Sequence, residues 1–117
     1  MIIGTIKEKK KFENRVAISP DEAKSYIKLG HQVHVEKNAG LQSGFSDKLY
    51  KEAGATMSSA KDILKHSDIL VKINCPSLEE AKQLKSSSMV ISQLNTQSEI
   101  DSIKIFNSKK ISAFSLE

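Results

Sequence analysis

Short apolar runs alternate with capped amphipathic stretches along the whole chain. Ile2, Ile3 and Ile6 predict a first strand. After a basic turn, Ser19, Pro20, Asp21 and Glu22 supply an N-cap, a proline at the first helical position and a glutamate three residues past the serine, which is a capping box. Ala23, Tyr26 and Ile27 then share one helix face, and Gly30 is the expected stop. Val33 and Val35 alternate with polar neighbours as a second strand. Residues 38–44 read as loop. Ser46 caps a short helix bearing Leu49, Tyr50 and Ala53, which Gly54 ends, and Ser59 with Asp62 opens another carrying Ile63 and Leu64.

Within residues 68–74, Ile69, Leu70, Val71 and Ile73 make a near-continuous apolar run, as expected of a strand buried on both faces of a parallel sheet. A second capping box, Ser77 with Glu80, starts a helix with Leu78, Ala81 and Leu84 inward. Met89, Val90 and Ile91 make a further strand. Thr96 and Glu99 cap a helix with Ile100, Ile103 and Phe106, and the stretch from Ile111 to Phe114 is a fifth strand. Parallel strands need helical crossovers. The expected class is therefore α/β: a Rossmann-like or flavodoxin-like, doubly wound and mainly parallel sheet of about five strands flanked by helices. Residues 1–117 form one domain. Its last strand runs up to the final residues without a covering helix, which reads as a domain cut from a longer polypeptide.

Composition narrows the function classes. Hydrophobic residues make up 38% and charged residues 27%, ordinary for a globular protein. No apolar run approaches the about 20 residues that a membrane helix needs, so direct membrane insertion is not expected. With one cysteine, Cys75, the chain forms no internal disulfide, which points to a reducing cytoplasm. The net charge of +4 invites a nucleic-acid reading, but acidic residues are interspersed throughout and Arg15 is the only arginine. Base readout and phosphate clamps favour arginine, so no nucleic-acid partner is expected.

In a doubly wound sheet, ligands gather at the carboxyl ends of the strands. Two cations stand out there. Arg15, between the first strand and the first helix, has two readings: a bidentate clamp for a small carboxylate, or a surface ion pair. Lys72 interrupts an apolar strand and either snorkels past the sheet edge or reaches into a cleft to polarise a carbonyl. His31 and His34 fall on opposite faces of one strand and His66 stands apart, so no metal site is expected. A dinucleotide site needs a glycine-rich strand-to-helix turn. The five glycines, Gly4, Gly30, Gly40, Gly44 and Gly54, do not have that spacing. No cofactor-binding or catalytic residue is therefore assigned to this chain.

The segments Ile3-Gly4-Thr5-Ile6-Lys7-Glu8 and Glu13-Asn14-Arg15-Val16-Ala17-Ile18-Ser19-Pro20 resemble the opening of the alanine dehydrogenase and NAD(P) transhydrogenase α-subunit family. The likeness continues through Asn38-Ala39-Gly40, Ser43-Gly44-Phe45-Ser46-Asp47 and Ala53-Gly54-Ala55 to Asn74-Cys75-Pro76, covering essentially the whole chain in order. It implies a Rossmann-like first domain, with the glycine-rich NAD site on a second domain further along. In alanine dehydrogenases the arginine and lysine matched by Arg15 and Lys72 bind the pyruvate or alanine substrate. The resemblance also implies a catalytic histidine near Asn95. Asparagine exchanges no proton near neutral pH, and Asn74-Cys75-Pro76 is nearer the transhydrogenase version.

The leading expectation is thus the N-terminal portion of a proton-translocating NAD(P) transhydrogenase α subunit, inactive alone. The complete enzyme would use NAD(H) and NADP(H), and this part would be cytoplasmic and peripheral to the inner membrane. Its expected partners are the remaining transhydrogenase domains or subunits, with homo-oligomerisation. The alternatives are an N-terminal fragment of an alanine or saccharopine-type dehydrogenase, with Arg15 and Lys72 as substrate-binding residues, and a non-enzymatic interaction module.

Overall fold

A computed structural model describes residues 1–94 and 100–115. Along the chain run β1 (Ile2–Thr5), α1 (Pro20–Lys28), β2 (Gln32–Glu36), a 3₁₀ turn (Leu41–Ser43), α2 (Asp47–Glu52), β3 (Thr56–Ser58) and α3 (Ala60–His66). They are followed by β4 (Ile69–Val71), α4 (Leu78–Gln83), β5 (Met89–Ser92), α5 (Ile100–Ser108) and β6 (Ser112–Ser115). The strands form one sheet in the order β3-β2-β1-β4-β5-β6, with every neighbouring pair parallel. Of the two doubly wound orders open from the sequence, this is the dinucleotide-fold one, and the order of the strands reverses between β1 and β4.

The alternation of side chains decides which face each residue joins. Ile3, Val33 and Val35 pack with Ala23 of α1 and Tyr50 of α2 into one core. Leu70 and Val90, on the opposite face, pack with Ile63 and Leu64 of α3, Ala81 of α4 and Phe106 of α5 into a second. Gly4 belongs to this second face, where a Cβ would run into the Ser67 hydroxyl and stand 2.6 Å from Ile63 Cγ2. The glycine lets α3 lie directly on β1. Tyr50 is fully buried and its hydroxyl donates to the Ile18 carbonyl at 2.7 Å, which pins the end of the β1–α1 connection to α2. Burial pushes this phenol's pKa up to about 12.

Both capping boxes are present: Ser19 with Glu22 on α1, and Ser77 with Glu80 on α4. Ser46 and Ser59 cap α2 and α3 as the sequence predicts. Six strands are seen among the described residues against the five expected. The extra one is β3, three residues with a single apolar side chain, Met57, too short to show a period. Register with β2 makes it a strand, pairing His34, Val35 and Glu36 with Thr56, Met57 and Ser58. The helical cap at Thr96 and Glu99, and Asn95, lie outside the described residues.

Candidate functional site

The reversal between β1 and β4 opens a crevice at their carboxyl ends, and two connections line it. Residues 6–19 join β1 to α1, and residues 72–77 join β4 to α4. The first contains no glycine and is far longer than a phosphate-binding turn. The amide of Glu22 in the first turn of α1 is already taken by the Ser19 side chain at 3.2 Å. That amide is therefore not free for a pyrophosphate.

The crevice holds a carboxylate instead. Glu8 folds into the crevice with 7% of its surface exposed and meets Lys72, of which 2% is exposed. Lys72 Nζ donates to Glu8 Oε1 at 3.1 Å, and the amides of Ile73 and Asn74 donate to Oε2 and Oε1 at 3.0 and 3.1 Å. Glu80, at the start of α4, brings its Oε1 to 4.0 Å from Lys72 Nζ while accepting from the Ser77 amide at 3.0 Å. Its other oxygen is buried without a hydrogen bond, with Lys9 Nζ 3.8 Å away. Lys72 therefore does not snorkel. It is held inside the crevice wall between two carboxylates.

Arg15 lies at the outer end of the same network. Its Nε and Nη2 donate to the two oxygens of Glu13 at 2.9 Å each, a bidentate fork, while 63% of the arginine side chain is exposed. Glu13 also accepts from Asn74 Nδ2 at 3.0 Å, and that amide reaches Glu8 Oε1 at 3.4 Å. A continuous polar chain thus runs from Arg15 through Glu13, Asn74 and Glu8 to Lys72. The Arg15 fork holds the Glu13 carboxyl down at a pKa of about 2, against its partial burial and with help from Asn74.

Two hollows flank this chain and share Glu8. One, about 450 Å³, has Lys72, Asn74, Ser77 and Glu80 in its wall; the other, about 560 Å³, has Lys7, Lys10, Phe12 and Glu13. The sequence singled out both cations and none of their anions. A lysine inside an apolar strand does demand a buried counter-charge, and that demand could have pointed to Glu8. No group of histidine, cysteine and carboxylate side chains among the described residues is arranged to hold a metal. His34 sits in β2, where burial, and after it the nearby His66, lowers its pKa.

Residues 4–117 match the family described as alanine dehydrogenase/PNT, N-terminal domain. The chain is 34% identical to an alanine dehydrogenase of Methanococcus maripaludis, over all of this chain and 32% of that protein. It is 33% identical to the NAD(P) transhydrogenase subunit alpha of Haemophilus influenzae, over all of this chain and 23% of that protein. Among solved structures, a transhydrogenase from Sinorhizobium meliloti superposes with a TM-score of 0.92 at 31% identity, over 98% of this chain and 34% of that one. An L-alanine dehydrogenase superposes with a TM-score of 0.91 at 29% identity, covering 98% of this chain and 32% of the other. The chain thus spans a third or less of the curated relatives it matches. No helix among the described residues is long and apolar enough to cross a membrane.

Proposed function

We propose that this chain, which belongs to the alanine dehydrogenase/PNT N-terminal domain family, serves as the N-terminal α/β domain of an NAD(P) transhydrogenase α subunit and holds no nicotinamide nucleotide alone. One observation carries this reading. Where a dinucleotide fold places its glycine-rich turn, this chain has a long glycine-free connection whose Glu8 carboxylate fills the crevice and takes its amides. An anionic pyrophosphate would meet an anion there. The complete protein would bind NAD(H) and NADP(H) on further polypeptide and pass hydride from NADH to NADP+, coupled to proton movement. This domain would stand on the cytoplasmic side, against the remaining transhydrogenase domains or subunits in a homo-oligomer.

A second reading rests on the polar chain that joins the two cations. In a dehydrogenase of the alanine type, a 2-oxo acid would displace Glu13 from Arg15 and Glu8 from Lys72, so that the guanidinium takes its carboxylate and the ammonium polarises its carbonyl. Calorimetry on the isolated chain separates the readings. NADH should give no micromolar binding, and such binding would overturn the first. Pyruvate added to tens of millimolar should leave the NMR signals of the Arg15 and Lys72 side chains unmoved, whereas shifts at both would favour the second.

A further inference from the structure

Between Lys7 and Arg15 the sequence mixes charges, and the structure sorts them by side. Both glutamates turn inward. Glu8 is buried on Lys72 and on the amides of Ile73 and Asn74, and Glu13 is held by Arg15 and Asn74. Lys7, Lys9, Lys10 and Lys11 are all exposed. Lys9 has an acidic neighbour, Glu80 at 3.8 Å. Among the described residues the other three form no ion pair. This stretch therefore shows solvent a cluster of ammonium groups while its own carboxylates are spent inside.

A tight turn carries the cluster. The Glu13 amide donates to the Lys10 carbonyl at 3.0 Å, closing a four-residue turn with Phe12 in its third place. Phe12 has a φ of +68°, in the left-handed region that suits glycine or asparagine and is uncommon for a bulky side chain. Its side chain is 88% exposed, more than any other large apolar one among the described residues. Lys11 Nζ stands 5.2 Å from the ring centre. A strained backbone that holds an aromatic ring out in water has no return inside the described chain, and strain of this kind clusters where chains bind something.

The chemistry of the tip selects the partner. One turn presents far less than the about 800 Å² per partner of a stable protein association. Lysines also lack the planar fork that singles out one phosphate or carboxylate. A bilayer rich in anionic lipid requires neither area nor fit. Its surface potential attracts every nearby lysine, and its headgroup boundary accepts an aromatic ring. We propose that the turn at residues 7–12 is a membrane-surface anchor, with the Phe12 ring entering the headgroup layer of an anionic bilayer and the lysines lying on its phosphates. No segment crosses the bilayer in this arrangement, and it holds whichever enzyme the chain completes.

Cosedimentation of the 117-residue chain with lipid vesicles tests the anchor. The chain should pellet with vesicles of equal parts phosphatidylglycerol and phosphatidylcholine, and stay in solution with phosphatidylcholine alone. Phe12→Gly keeps the net charge and suits the positive φ, so the thermal midpoint should hold while the bound fraction falls several-fold. Lys10→Gln combined with Lys11→Gln should release the chain at lower salt. Pelleting that Phe12→Gly leaves unchanged would reduce the effect to diffuse charge and overturn the proposal, as would failure to pellet with anionic vesicles. Displacement by soluble poly-L-glutamate at equal charge would overturn the lipid in favour of an acidic polypeptide. None of these outcomes bears on NADH binding, so the domain reading stands or falls separately.

Discussion

Glu8 accepts hydrogen bonds from Lys72 Nζ, from the amides of Ile73 and Asn74, and from Asn74 Nδ2. So many donors on one buried carboxylate make it the centre of the crevice, and its charge is what Lys72 answers. Removing one partner of a buried pair leaves an uncompensated charge. Glu8→Gln should therefore lower unfolding free energy by about 3 kcal/mol or more in urea titrations, and adding Lys72→Met should recover much of that loss. A Glu8→Gln penalty below about 1 kcal/mol would mean that Glu80 already satisfies the ammonium. The outer pair behaves differently, because Arg15 is exposed and solvent screens it. Its signature is pH dependence. The Glu13 carboxyl titrates near 2 in the folded chain, below its ordinary 4.5. A lowered folded-state value gives stability that is whole above the ordinary pKa and fades as pH falls toward the folded one. The urea midpoint should accordingly drop between pH 4.5 and 2, with a shallower drop in Glu13→Gln.

Elements were legible wherever local chemistry speaks for itself. The serine caps of α1, α2, α3 and α4 fall where the sequence places them, since a cap needs only a side chain and an amide a few residues away. Strand β3 was not legible, because its three residues owe their conformation to pairing with β2. Strand β4 proved shorter than the apolar run suggests, Ile69–Val71. Beyond it, Lys72 and Gln93 amides still donate to Ile91 and Ile73 carbonyls, so the two chains continue side by side past the strand. The packing of α3 on β1 depends on Gly4. An alanine there collides with Ser67 and Ile63, both on buried surfaces. Gly4→Ala should cost about 1–3 kcal/mol by overpacking, read as a lowered thermal midpoint. An unchanged melt would show that α3 can lift away without penalty.

On the scale of the molecule, the sheet divides one closed side from one half-open side. Val90 and Ile91 are adjacent in sequence and point to opposite faces. Val90 is fully buried under α4 and α5, whereas Ile91 faces the uncovered half. A carboxylate at Val90 has no counter-charge and no water. Val90→Asp should abolish the cooperative melt, while Ile91→Asp should shift it only modestly. Equal damage from both would mean that the second face is as tightly closed as the first.

Hydrophobic periodicity and caps were enough to determine an α/β sheet with helical crossovers, and the five glycines lack the spacing of a glycine-rich phosphate-binding turn, since each depends on residues close together in the chain. Arg15 and Lys72 were visible as chemically odd residues for the same reason. Their partners were not. Glu8 meets Lys72 across 64 positions, and Asn74 meets Glu13 across 61. Such pairings exist only once β1 and β4 lie side by side, which neither segment specifies by itself. Strand order, the anionic plug in the crevice and the uncovered half-face were likewise decided by tertiary structure, because each depends on which strands become neighbours.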